Sequence, residues 1–217
     1  MALQVTGQAQ GLVLSTSQKS GAPGAISTGW HNEPIMTELL PRYAYIVLSG
    51  KVYSGGNTAF AALTAPGTAV TGLTLFNPLG SGVNGVILDL EAAFTPVTLA
   101  TVAVTPVLSG VAQSTTPTGL TVLTPTPNLV GASTTPQCKL YSAATVSAAG
   151  NILRILGNWQ STVETTSGGG VTAAVYVKDE VAGAIIVPPG NLIYLSGLGT
   201  VADATVAASI TWAELPT

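Results

Sequence analysis

His31 is the only imidazole and Cys138 the only thiol in this chain, and neither stands in a pattern that does chemistry. One of each cannot assemble a tetrahedral Cys/His zinc site, and a lone cysteine rules out an intramolecular disulfide framework. As a general base His31 would need a nucleophile and an orienting partner. It sits in the irregular stretch Trp30-His-Asn-Glu-Pro34, and no G-x-S-x-G pattern supplies a nucleophile elbow. A hydrogen-bonding role is expected for it. Asp89 and Glu91 are two apart in an alternating segment, which puts their Cβ atoms about 6.5 to 7 Å apart on one strand face. Such a pair invites comparison with glycosidase carboxylates or half of a calcium site. Glycosidase pairs flank a cleft from separate elements, however, and two carboxylates leave most of a calcium shell unfilled. A solvated or subunit-facing stripe is the expectation. Asp179-Glu180, within Lys178-Asp-Glu-Val-Ala-Gly183, marks a charged hairpin tip. Gly80-Ser-Gly-Val-Asn-Gly85 spells the dinucleotide fingerprint G-x-G-x-x-G. A phosphate cradle needs a helix N-terminus after its glycines, whereas the next residues alternate as a strand, so a hairpin loop is expected. No catalytic residue, cofactor site or metal site follows, and the chain is expected not to be an enzyme.

The elements that must position these residues are strands. In Val86 to Phe94 one face reads Val86, Leu88, Leu90, Ala92, Phe94 and the other Ile87, Asp89, Glu91, Ala93. Thr205 to Ala213 divides likewise, with Val206, Ala208, Ile210 and Trp212 expected in the core. Further strands are expected at Tyr45–Tyr53, Val70–Phe76, Val97–Val104, Leu120–Thr124, Cys138–Tyr141, Ile152–Leu156, Val171–Lys178, Ala184–Val187 and Leu192–Leu195. Gly/Pro clusters separate them: Asn77-Pro78, Ser167-Gly-Gly-Gly170 and Pro188-Pro-Gly-Asn191. The Thr/Pro-rich span Ser114–Pro136 reads as a long loop. About ten short strands with no long helical pattern indicate an all-β, two-sheet sandwich of jelly-roll type over residues 43–217. Residues 1–42 differ. Leu12-Val-Leu14 and Ile35-Met36 are short apolar pieces spaced by Gln, Ser, Gly and Pro, too sparse for a core, so an extended N-terminal arm is expected, with one helical turn at Met36-Thr-Glu-Leu-Leu40 stopped by Pro41. Trp30, Ile35 and Met36 are its candidate assembly contacts.

Composition narrows the function classes. Charged residues are 7% of the chain, against roughly a quarter in an ordinary soluble domain, while 47% are apolar. A surface built of Thr, Ser, Gly, Ala and Gln is easily desolvated against a neighbour, so self-association is expected, most simply as a trimer. Lys19, Arg42, Lys51, Lys139, Arg154 and Lys178 stand singly in a chain of net charge −3, which leaves no basic stripe for nucleic acid. No apolar run approaches the about 20 residues of a spanning helix. An outer-membrane barrel would show aromatic girdles and an export signal. Aromatic residues are 6%, and Met1 to Gln10 has no basic n-region followed by an apolar h-region, so no membrane partner is expected. Trp30, Trp159 and Trp212 are too dispersed for a sugar-stacking platform.

Three stretches resemble bacteriophage and related viral structural proteins of the jelly-roll type: Leu73-Thr-Leu-Phe-Asn-Pro-Leu-Gly-Ser-Gly-Val-Asn-Gly85 leading into Val86-Ile-Leu, Pro188-Pro-Gly-Asn-Leu-Ile-Tyr-Leu195, and Ile210-Thr-Trp-Ala-Glu-Leu-Pro216. Together they cover about a fifth of the chain. The resemblance implies a trimeric capsid-decorating, head-fibre or tail-associated subunit on the virion surface, made in the host cytoplasm, with no cofactor. Its partners would be further copies of itself and other virion proteins such as the major capsid protein. The alternative is a receptor- or glycan-binding tail or fibre module, with recognition in the loops around Thr115–Pro136 and Ser167–Gly170.

Overall fold

Alternating small, β-branched and aromatic residues, broken every few positions by glycine or proline, leave little that can persist as helix, and among the described residues the regular structure is strand apart from one short helix. The computed structural model describes residues 43–96, 102–161, 175–199 and 204–217, and all structural statements concern these. The expected arm, with Leu12–Leu14, Trp30, Ile35 and Met36, lies outside them, as do His31 and Ser167–Gly170. The fold is that of the unit Tyr45–Thr217.

Helix α1 (Ala44–Leu48) comes first, followed by β1 (Val52–Gly56), β2 (Ala61–Ala62), β3 (Ala69–Asn77), β4 (Val83–Pro96), β5 (Val102–Ala112), β6 (Thr118–Leu123) and β7 (Thr126–Pro127). Then come β8 (Lys139–Thr145), β9 (Asn151–Ile155), β10 (Trp159–Ser161), β11 (Val175–Asp179), β12 (Ile185–Val187), β13 (Asn191–Gly199) and β14 (Ala204–Pro216). They form two antiparallel sheets. The first runs β7, β1, β14, β4 and then β11 with β12 in line along its edge, while β2 pairs with β14; the second runs β6, β8, β3, β13, β5 and then β9 with β10. The long strands pair in a nested way. β1 lies on β14, β3 on β13, β4 on β11 and β12, and β5 on β9 and β10, as in a long hairpin folded over on itself.

The core lies between the sheets, with Leu90, Phe94, Val206, Ile210 and Trp212 from the first and Leu75, Leu108, Ile193 and Leu195 from the second. Trp212 has no exposed surface and tilts against Tyr53 with ring centroids 6.0 Å apart, as its place on the apolar face of β14 predicts. A second cluster, including Phe76, Tyr141, Leu192 and Tyr194, is built on the second sheet. The Tyr194 hydroxyl accepts from Gly150 N–H at 2.8 Å and contacts the Gly67 carbonyl at 3.3 Å, so loops from both sides close over it.

Five local expectations are corrected. Tyr45–Tyr53 is not one strand: its start is helix α1, which has no buried residue, the chain turns at Ser49-Gly50, and pairing with β14 begins only at Val52. In β4 a bulge at Leu88, opposite Thr211/Trp212, puts an extra residue into the strand. Ile87 and Leu88 are both buried in consequence, and Val86 joins the outer face, contrary to strict alternation. Gly80–Gly85 is not a hairpin loop, because β3 and β4 belong to different sheets; Pro78–Gly82 arches between them, with Gly80 and Gly82 at φ 85° and 72°, which β-carbons disfavour. Glu180–Ala184 is not a hairpin tip: β11 and β12 run the same way along β4, and the intervening turn tucks Val181 into the core while Ala182 and Gly183 donate to the carbonyls of Leu88 and Ile87. Ser114–Pro136 carries β6 and β7, which extend one edge of each sheet.

Buried Asn77 ties two inter-sheet turns together, its amide nitrogen donating to the carbonyls of Val83 at 2.7 Å and Val187 at 2.8 Å. Asn77→Ala strips both acceptors at once, and a loss of about 1–3 kcal/mol is expected in urea unfolding. An unchanged midpoint would show that these bonds carry no net stability.

Candidate functional site

Three groups of side chains, two polar and one apolar, stand out, and their surroundings assign them different roles. The first is deep in the fold. Glu214 of β14 is 4% exposed and accepts hydrogen bonds from Gln137 N–H at 2.9 Å, Cys138 N–H at 2.8 Å and the Trp212 indole N–H at 3.3 Å. These donors hold the carboxylate in place of a cation and fasten the start of β8 to β14. Burial, and then the adjacent Glu214 carboxylate, push the Cys138 thiol well above its ordinary pKa. It is therefore a packing group rather than a nucleophile.

The second group is on the outer face of the first sheet. Lys178 of β11 reaches across to β4 and bridges Asp89 at 3.0 Å and Glu91 at 2.9 Å. The two carboxylates expected on one face are there, but a lysine occupies the space between them, which removes the open cleft that a hydrolytic pair requires. The hydrogen bond from Lys178, and then one from Tyr176, hold the Glu91 carboxyl below the usual carboxylate range. The bond to Glu91, followed by that to Asp89, pushes Lys178 above the usual ammonium range. Because the folded value of Glu91 is depressed, its contribution is present above the unfolded pKa of about 4.3 and disappears as pH falls through the lower folded value. For Lys178, raised on folding, it is present below about 10.4 and disappears as pH rises through the folded value. In Lys178→Met the Glu91 carboxyl is expected to titrate at higher pH, read from its side-chain carbon shift by NMR; an unmoved titration would mean that the lysine does not hold it.

Around this cluster the register sets two rows across the sheet. One runs Tyr176, Ala93, Ala207 and the other Lys178, Glu91, Ser209, Gly56. The small residues in the middle leave a shallow depression of about 240 Å³, lined also by Asn57. Tyr176 stands at its rim, 61% exposed.

The third group is apolar. Ile152, Leu153 and Ile155 of β9 and Ile186 of β12 are exposed along the edge where β9 and β12 close their sheets. A second depression of about 240 Å³ lies there, lined by Leu153, Ile186 and Pro188 among others. Arg154 Nε pairs with Asp179 Oδ2 at 2.6 Å and ties β9 to β11 across the two sheets.

The strand period predicted that Asp89 and Glu91 share a face. It did not predict Lys178, Tyr176 and Asn57 beside them, since those depend on which strands are neighbours. From sequence Ile152–Leu156 is expected only as a strand, with nothing to mark its Ile and Leu side chains as exposed. Among the described residues no helix is long and apolar enough to cross a membrane, and no three His, Cys, Asp or Glu side chains stand together as metal ligands. Compared with known proteins, the chain matches no family model, no curated sequence and no solved structure.

Proposed function

We propose that the chain is a non-enzymatic structural subunit of a virus particle, associated with the capsid and assembling through its β-sandwich and through residues 1–42. The observation that carries this is the nested strand order. With the short strands β2 and β7 and the β6/β8 edge set aside, β1 on β14, β3 on β13, β4 on β11 and β12, and β5 on β9 and β10 nest in a way we read as a jelly roll, an architecture that recurs in viral capsid domains. Since a fold alone does not assign a role, the surface has to agree with it. Charge is scarce, and the β9/β12 edge exposes four Ile and Leu side chains that a neighbouring copy would cover. The resemblance of the Leu73–Gly85, Pro188–Leu195 and Ile210–Pro216 stretches to phage structural proteins points the same way.

Light scattering after size exclusion is expected to give a multiple of the 21.7 kDa chain mass, a trimer being the simplest closed form. A chain starting at Pro41 is expected to keep its fold and oligomeric state but not enter particles, with Trp30, Ile35 and Met36 lost as anchors. A stable monomer at high micromolar concentration would overturn the assembly reading. Wild-type occupancy of the shortened chain in purified particles, or its failure to fold, would overturn the anchoring role.

A further inference from the structure

We propose that the β9/β12 edge binds the same edge of a second copy, like face on like face about a twofold axis, through Leu79, Ile152, Leu153, Ile155 and Ile186. This rests on the assembly reading and names its contact, but it favours even-numbered assemblies over a trimer.

Leu153 comes from the second sheet and Ile186 from the first, and both line the depression of about 240 Å³ between the two sheet edges. Leu153 is seated where Gly110 has no side chain: a β-carbon on Gly110 would lie 2.7 Å from it. Ile152 and Ile155 flank it on the same strand. Leu79 rests against Gly190, where a β-carbon would lie 3.2 Å away, in the turn whose Pro188 and Asn191 line the same depression. The five residues are 45–68% exposed. Together they present on the order of 500 Å² of apolar surface, in the range where a patch on a monomer marks an interaction site. With a polar rim, such a face reaches the about 800 Å² per partner of a standard specific interface.

Two observations make the occupant a second copy. The charged side chain of β9, Arg154, is already paired with Asp179 at 2.6 Å, so two of these edges meet without like charges opposed, and a charged partner finds no unpaired opposite charge on this strand. The second observation is size. The other exposed large apolar side chains among the described residues are spread over α1, β6, β11, β13, β14 and two loops, singly or two together. A head-to-tail ring needs a different apolar face to receive this one, and none of comparable extent is present among the described residues. The face that matches it is the same face on another copy, which is the isologous contact of a twofold dimer.

The test is light scattering of the full chain over a dilution series, with circular dichroism to check that each variant is folded. The wild type is expected at an even multiple of the 21.7 kDa chain mass. The double variant Ile155→Arg/Ile186→Arg, and Ile155→Arg alone to a smaller degree, weaken self-association; at least about a hundredfold is expected for the double variant, since each substitution buries its charge twice across a twofold contact. Val122→Arg, on β6 at the far edge of the second sheet, is expected to change nothing. Geometry is read by crosslinking. Cys138 is buried, so Ile186→Cys introduces the one accessible thiol among the described residues and a short bismaleimide is expected to link copies in pairs, whereas Val130→Cys is not linked. Association of both Arg variants at wild-type strength overturns this contact and leaves the assembly reading standing. So does association that the Arg variants keep and a chain starting at Pro41 loses, which would place the contact in residues 1–42. Association lost in the Arg variants without Ile186→Cys crosslinks, or a wild-type mass of three chains, means a head-to-tail contact and overturns the twofold arrangement. A monomeric wild type at high micromolar concentration overturns both this contact and the assembly reading.

Discussion

Trp212→Ala is expected to lower the stability of the sandwich by about 3–5 kcal/mol, the range for truncating a fully buried large aromatic. The indole has no exposed surface, lies against Tyr53 and sits among residues of both sheets. Alanine leaves a cavity where β1 and β14 face the second sheet, and neighbours on paired strands cannot collapse into it without breaking their ladders. The substitution also removes the indole N–H from Glu214. At roughly 2–4 °C per kcal/mol for a chain of this size, the melting temperature is expected to fall by about 10 °C. Calorimetry at one fixed protein concentration checks this, since any self-association makes melting concentration-dependent. A fall of less than about 1 kcal/mol would mean that the site relaxes freely and that Trp212 does not organise the core.

Glu214→Ala should cost a comparable amount for a different reason. It leaves the N–H groups of Gln137 and Cys138 and the indole of Trp212 without their acceptor. Each buried donor left unpaired costs about 1–3 kcal/mol, partly recovered where water enters, so a total of about 3–5 kcal/mol is expected. Glu214→Gln keeps the volume, and its amide oxygen in the place of Oε1 still accepts from Cys138 and Trp212 while the amide N–H faces the Gln137 N–H, so a smaller loss than in Glu214→Ala is expected. Amide hydrogen exchange separates this role from general packing: Gln137 and Cys138 are expected to lose protection before the strands of the second sheet do. Uniform loss of protection across both sheets would contradict a local fastening role. Because Trp212 and Glu214 touch, the double variant should lose less than the two single losses added together.

The strength of both effects follows from a core whose period was visible in the chain itself. The alternation in Thr205–Ala213 determined that Val206, Ala208, Ile210 and Trp212 face inward, and they do. Alternation in Val86–Phe94 predicted correctly from Leu90 to Phe94 and failed at Val86 and Ile87, because a bulge is a property of two paired strands and only one was in view. The glycines and prolines marked where chain direction changes. They did not reveal whether a turn joins neighbours in one sheet, arches to the other as Pro78–Gly82 does, or interrupts an edge as Glu180–Ala184 does.

By itself, then, the amino-acid sequence determined the all-β class, the two-sheet arrangement, most strand positions and the scarcity of surface charge. Each of these rests on local periodicity or composition. Tertiary structure decided which strands lie side by side, and with that everything requiring residues distant in sequence: Lys178 between Asp89 and Glu91, Tyr176 across from Ala93 and Ala207, and Glu214 beneath Gln137 and Cys138. A strand's own period determines which way a side chain points. Its neighbours are settled only when long-range pairing closes the sheets, and among the described residues the first strand, β1, pairs with the last, β14.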